Sequence, residues 1–211
     1  MASQWQEFVA RYKNGCGSSI CGKARRICLA RGSVPAEVVF IGEAPGESEN
    51  SLGKPFAGPA GHLLDRIIKE SIGSTRTYVL TNLVGCIPRE EDGNKAVEPE
   101  KKDIEACSIR LRDFVRICRP RLIVLVGALA KRHITGASQF RLDEEPEQPE
   151  WIAEGDSLRF AEIIHPAAIL RANVTQRGLA IQRSIVTINS ALDDLDQPML
   201  NPQYRESDIP F

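Results

Sequence analysis

The chain has no long hydrophobic run. Its longest, Leu122 to Ala130, is too short to span a bilayer, and the opening residues MASQWQEFVARYK lack the apolar core of an export signal. Charge of one sign is also lacking: 27 Lys and Arg against 28 Asp and Glu leave a formal net charge of -1. A polyanionic partner would therefore have to be met by a local patch or by backbone amides, not by the field of the whole molecule. No internal repeat is present. An apolar fraction of 42% and a charged fraction of 26% remove disorder as the default. At 211 residues the chain is long enough for one well-filled domain and short for two. We expect a single domain over 1–192 and a loose tail over 193–211.

What is present is a strand, a polar loop and a helix between Glu37 and Ile72. Val38, Val39 and Phe40 form the short apolar run of a strand buried on both faces. From Leu63 onward, Leu63, Leu64, Ile67 and Ile68 make a helical stripe, with Asp65, Arg66, Lys69 and Glu70 on the wet side. The connecting loop holds five glycines, three prolines, three glutamates and one aromatic, Phe56. A loop of that length and glycine content between a buried strand and a helix commonly holds a ligand.

The rest of the chain alternates in the same way. Ala2 to Tyr12 reads as a short helix, with Trp5, Phe8, Val9 and Tyr12 on one face. Strands are expected over Thr77 to Val84, Arg121 to Gly127 and Arg159 to Ile164, and helices over Glu100 to Cys118, from Ala128, and over Gln176 to Leu192. Ser138 to Ser157, with two prolines and seven acidic residues, reads as the least ordered stretch. Strands alternating with helices imply a three-layer α/β/α sandwich around a central, mainly parallel four-stranded sheet.

In such sheets the ligand lies outside the carboxyl ends of the strands. Those ends carry Gly42 and Glu43, Asn82, Gly127 and His165, so a carboxylate, an amide and an imidazole converge on one rim. Each alone has a bland reading: a solvated carboxylate, an amide capping a turn, a histidine satisfied before a proline. Three at equivalent strand ends mark a site. Six cysteines without an export signal read as thiols or metal ligands before disulfides. Cys16 and Cys21 lie in a glycine- and serine-rich stretch able to fold round something small. The adjacent Lys23, Arg25, Arg26 and Arg31 make this the most basic segment, which reads equally well as a solvated loop.

Four motifs carry a resemblance: GEAPGESENSLGKPFAGPAG from Gly42 to Gly61, TNLVGC from Thr81 to Cys86, EAC from Glu105 to Cys107, and HPAAILR from His165 to Arg171. Together they resemble the family 4 uracil-DNA glycosylases, the iron-sulfur branch of that superfamily, in the family's order from about Cys16 to Leu192. The resemblance implies an enzyme of base excision repair that flips uracil out of single- or double-stranded DNA and cleaves its bond to the sugar. It implies a cytoplasmic, nucleoid-associated monomer. It assigns Phe56 to stacking on the base and Asn82 to its edge, and His165 to the oxygen where negative charge gathers. Glu43 falls at the carboxylate proposed to orient or activate water, although an electrostatic role without proton transfer is equally open. Backbone amides at Gly42 and Ala44 would meet the base or phosphates. Leu170 would part the duplex and Arg171 contact a phosphate, with ordinary helix packing the competing reading for Leu170.

The same resemblance implies a structural [4Fe-4S] cluster on Cys16, Cys21, Cys86 and Cys107. The family usually has C-x-x-C for its early pair, whereas four residues separate Cys16 from Cys21 here. That departure leaves Cys28 as an alternative ligand and zinc as an alternative metal, while Cys118 fits the apolar face of its helix. CIPREEDGNKAVEP also departs from the family's run after its third cysteine, and HPAAILR lacks the usual serine. Two further readings therefore stay open: the same chemistry on a modified pyrimidine, for example in phage DNA, and a non-catalytic or covalently trapping DNA-binding module.

Overall fold

The computed structural model describes residues 3–16, 20–21, 26–90, 95–135 and 158–196. The acidic stretch Ser138 to Ser157 lies outside the described residues, as do residues 197–211 of the expected tail. Helix α1 (Gln4–Tyr12) opens the fold. It starts at a capping box in which the Gln6 amide donates to the Ser3 hydroxyl and the Ser3 amide donates to the Gln6 side chain. There follow β1 (Arg31–Gly32), β2 (Val38–Gly42), α2 (Glu47–Leu52), α3 (Pro59–Ser71), β3 (Tyr78–Asn82) and α4 (Lys101–Cys118). The chain then runs through β4 (Leu122–Val126), α5 (Ala128–Thr135), β5 (Arg159–Ile163), α6 (Pro166–Arg171) and α7 (Val174–Asp196).

The sheet has the order β1-β3-β2-β4-β5, with β3, β2, β4 and β5 parallel and β1 antiparallel to β3. The four expected strands are all present. The expected count of four is corrected to five, because a two-residue edge strand is too short to show any period in the sequence. Side-chain alternation along the strands sorts the interior into two cores. Val39, Ile41, Val79, Ile123 and Leu125 face α1, α4 and α5, packing on Phe8, Leu111 and Phe114. Val38, Phe40, Leu80, Leu122 and Val124 face α3 and α7, packing on Leu64, Ile67, Ile185 and Ile188. Helices thus cover both faces of the sheet, and the polar rim is left at the carboxyl ends.

Two local expectations are corrected. The glycine-rich loop contains helix α2, none of whose residues is buried, so it carries no apolar stripe to read. The last helix runs to Asp196, past the expected boundary at 192. Leu195 is buried there, Arg76 pairs with Asp196, and Arg121 donates to the Leu195 carbonyl.

Candidate active site and cysteine group

The register of β2 on β3 places Gly42 opposite Asn82, and both strands end there. A side chain on Gly42 would have no room: its Cβ would lie 2.4 Å from the Phe56 ring and 2.5 Å from Asn82 Oδ1. The absence of that one carbon lets an aromatic ring and a buried amide meet at the strand end. Phe56 is only 6% exposed, so its ring is anchored in the second core and is less open than an isolated phenylalanine among glycines suggests. On its other side it faces His165, with ring centroids 6.4 Å apart and planes 30° from parallel.

Phe56 has φ +54, the left-handed region that a bulky residue adopts only when its surroundings over-determine it. Two contacts do so. The Phe56 carbonyl crosses the first turn of α3 at Gly61, where a Cβ would come within 1.8 Å of it. Arg31, in edge strand β1, donates to the Pro55 and Phe56 carbonyls at 3.0 Å each while its guanidinium pairs with Asp65 at 2.8 and 3.1 Å. Glu49 ties the same loop from within, accepting from the Gly46 amide at 3.0 Å and the Gly58 amide at 2.8 Å. Arg31, Glu49 and Asp65 were not legible as site residues, since Arg31 and Glu49 act through loop backbone and Asp65 acts through Arg31.

His165 caps α6. Its Nδ1 accepts from the Ala167 amide at 3.2 Å, so the neutral ring carries its proton on Nε2. Burial, with the Arg171 charge, lowers its pKa and favours that neutral form. Glu43, half-buried just beyond β2, is shifted the other way: burial and the charge of Glu98 raise its carboxyl above the ordinary value. Ala44 follows it, half-buried. In α6 the buried positions belong to Pro166 and Ile169, which leaves Leu170 half-buried and Arg171 exposed. Arg177, unnoticed in the sequence, donates to the Leu170 carbonyl at 2.7 Å and so holds the end of α6.

The cysteines gather behind this rim. Cys86 donates to Cys21 Sγ at 3.4 Å, and Cys21 Sγ lies 3.5 Å from Cys16 Sγ. Cys16 and Cys107, 91 residues apart in sequence, are joined as a disulfide. Thiols were expected here before disulfides; convergence of the two segments brings the sulfurs within bonding reach. With that pair bonded, no group of three or more His, Cys, Asp or Glu side chains among the described residues is arranged to hold a metal ion. The donor chemistry itself fits a four-thiolate group, since all four sulfurs connect in one chain of contacts. Cys28 stands apart, donating to the Glu49 carbonyl at 3.3 Å, and burial pushes its thiol up to about 12. Cys118 is buried in the core on its helix, as expected.

Residues 30–186 match the model of the uracil DNA glycosylase superfamily. The chain belongs to that superfamily. Among its relatives, the type-4 uracil-DNA glycosylase of Saccharolobus solfataricus is 36% identical over 144 residues, 66% of this chain and 64% of the relative. That of Sulfurisphaera tokodaii is 43% identical over 100 residues, 47% of this chain and 43% of the relative. The type-4 uracil-DNA glycosylase of Pyrobaculum aerophilum is 32% identical over 162 residues, 72% of this chain and 80% of the relative. The matched stretches thus span less than two thirds of the first two relatives. The rim, Cys86 and Cys107 fall inside the superfamily match, whereas Cys16, Cys21 and Cys28 precede it.

Proposed function

We propose that this protein is a DNA glycosylase that takes uracil out of DNA and hydrolyses its bond to the sugar, leaving an abasic site for base excision repair. The observation that carries this reading is the meeting of Phe56, Asn82 and a neutral His165 around a glycine at the ends of parallel strands. The three relatives named above share the uracil-DNA glycosylase description. Release of free uracil from a defined oligonucleotide tests the reading.

An extruded base loses stacking and pairing, and the pocket must return both. Phe56 supplies an aromatic face. The Asn82 amide offers a donor to uracil O4 and an acceptor to N3-H, while cytosine presents the reverse pattern and would leave buried polar groups mispaired. As the bond to the sugar breaks, its electron pair leaves with the base, and negative charge collects on O2. His165 donates Nε2-H to that oxygen, and it does so as a neutral ring because Nδ1 must stay unprotonated to accept from the Ala167 amide. Glu43 orients the water that adds to the sugar carbon and balances the positive charge developing there. The amides of Gly42 and Ala44 face base or phosphate. Leu170 enters the duplex and Arg171 meets the backbone of the DNA partner.

Both titrating groups act in the same direction with pH. Glu43 must be ionised and its pKa is raised; His165 must be neutral and its pKa is lowered. Each requirement is met as pH rises, so the rate should climb from acid to a plateau, with the limb lying above the ordinary glutamate value of 4.5 and no alkaline fall from these groups. Glu43→Gln should lower the plateau and reduce the acid limb from two ionisations to one, that of His165. A kcat/KM profile measured for both proteins checks this, and an unchanged plateau with an unchanged limb slope would remove Glu43 from the mechanism.

With the Cys16–Cys107 disulfide reduced, Cys16, Cys21, Cys86 and Cys107 would hold a [4Fe-4S] cluster, or zinc in the same four-thiolate set. When bound, such a group pins the two loops and α4 together, since hydrolysis of the glycosidic bond needs no redox step. Cys86→Ser should lose the metal and the visible absorbance of anaerobically purified protein, whereas Cys28→Ser should keep both. Loss in the Cys28 variant alone would exchange the ligand assignments. Among the described residues no helix is long and apolar enough to cross a membrane; we place the enzyme in the cytoplasm, at the nucleoid, acting as a monomer.

A further inference from the structure

Arg110 is fully buried in α4, three residues after Cys107, and no carboxylate pairs with it among the described residues. A buried guanidinium in that state is costly unless its charge and its donors are otherwise matched. Its donors go to the end of β3. Nη2 donates to the Asn82 carbonyl at 2.6 Å and to the Leu83 carbonyl at 2.9 Å, and Nη1 to the Thr81 hydroxyl at 3.3 Å. Nε has no partner. Nε faces Gly85, the residue before Cys86: a Cβ added there would lie 3.5 Å from it.

The peptides that Arg110 grips are themselves bound to the rim. The Leu83 amide donates to the Gly42 carbonyl at 2.9 Å and the Val84 amide to the Glu43 carbonyl at 3.3 Å. One guanidinium therefore stands between the cysteine group and the backbone of Asn82, Gly42 and Glu43. We propose that Arg110 is a positioning residue that couples the cysteine group to the base pocket. Its fork fixes the Asn82–Val84 turn that leads on to Cys86, from a place one helical turn after Cys107. This rests on the glycosylase reading only for its consequence in base selection; the coupling itself does not.

Arg110→Lys keeps the charge but not the planar fork, and Arg110→Met keeps neither. Hydrogen exchange of the Leu83 and Val84 amides should accelerate roughly tenfold or more in both variants, the loss expected for charge-assisted hydrogen bonds, while amides of β4 and α7 keep parental rates. Release of uracil relative to cytosine should fall in both. Iron and zinc content, measured directly, should drop in both, because both lose the fork that fixes the turn leading to Cys86. Parental exchange at Leu83 and Val84 in both variants, or equal acceleration throughout the chain, would overturn the proposal. Parental metal content in both variants would overturn the coupling to the cysteine group. If the parent releases no uracil, the functional reading fails, and the exchange and metal measurements still decide the coupling.

Discussion

Replacing His165 by alanine is expected to slow uracil release roughly a hundred- to a thousandfold, the usual loss when one preorganised donor to a developing oxyanion is removed. Affinity for uracil-containing DNA should change far less, because the charge that His165 meets exists only as the bond breaks. The geometry sets this asymmetry. Nδ1 is occupied by the Ala167 amide, so Nε2-H is the group left to donate, and burial keeps the ring neutral. Single-turnover rates and DNA binding measured on the same protein separate the two quantities. Equal losses in rate and affinity would make His165 a binding residue only.

Gly42→Ala is expected to abolish measurable base release while the protein stays folded. Added at Gly42, one methyl would meet the Phe56 ring at 2.4 Å and Asn82 Oδ1 at 2.5 Å, and neither can yield freely. Phe56 is held through its carbonyl by Arg31 and by its crossing at Gly61, and the Asn82 backbone is held by Arg110. Overpacking of this kind typically costs about 1–3 kcal/mol, a survivable loss for a domain of this size. Gly178→Ala in α7 is the matching control. A Cβ there meets nothing within 4 Å, so activity should be parental and stability higher by roughly 0.5–1 kcal/mol. Thermal melting with base release on both variants tests the contrast; parental activity in Gly42→Ala would dissolve the pocket as described.

The parts of the molecule that could be read from the sequence are those that obey a local period. Val38 to Ile41 and Leu122 to Val126 are buried on both faces, so their unbroken apolar runs announced central strands, and the polar residues that end them announced the rim. Helix α2 carried no such signal: ESENSL buries nothing and is tied in place by the Glu49 carboxylate. The fastening of the site was invisible for a different reason. Arg31 reaches Phe56 across 25 residues and Arg110 reaches Asn82 across 28, in each case side chain to backbone, which leaves no spacing rule to detect. Arg31 therefore read as one charge in a basic run. The cysteines were legible as a group, through resemblance, while the bond between Cys16 and Cys107 was not.

The central claim is that this rim selects uracil and cleaves its bond to the sugar. Its most direct test is base release from matched single- and double-stranded oligonucleotides carrying uracil, thymine, cytosine or a 5-substituted pyrimidine, with the parent and His165→Ala proteins side by side. The account predicts release of uracil alone, dependent on His165. Excision of a 5-substituted base without uracil, or tight or covalent binding with no base released, would contradict it.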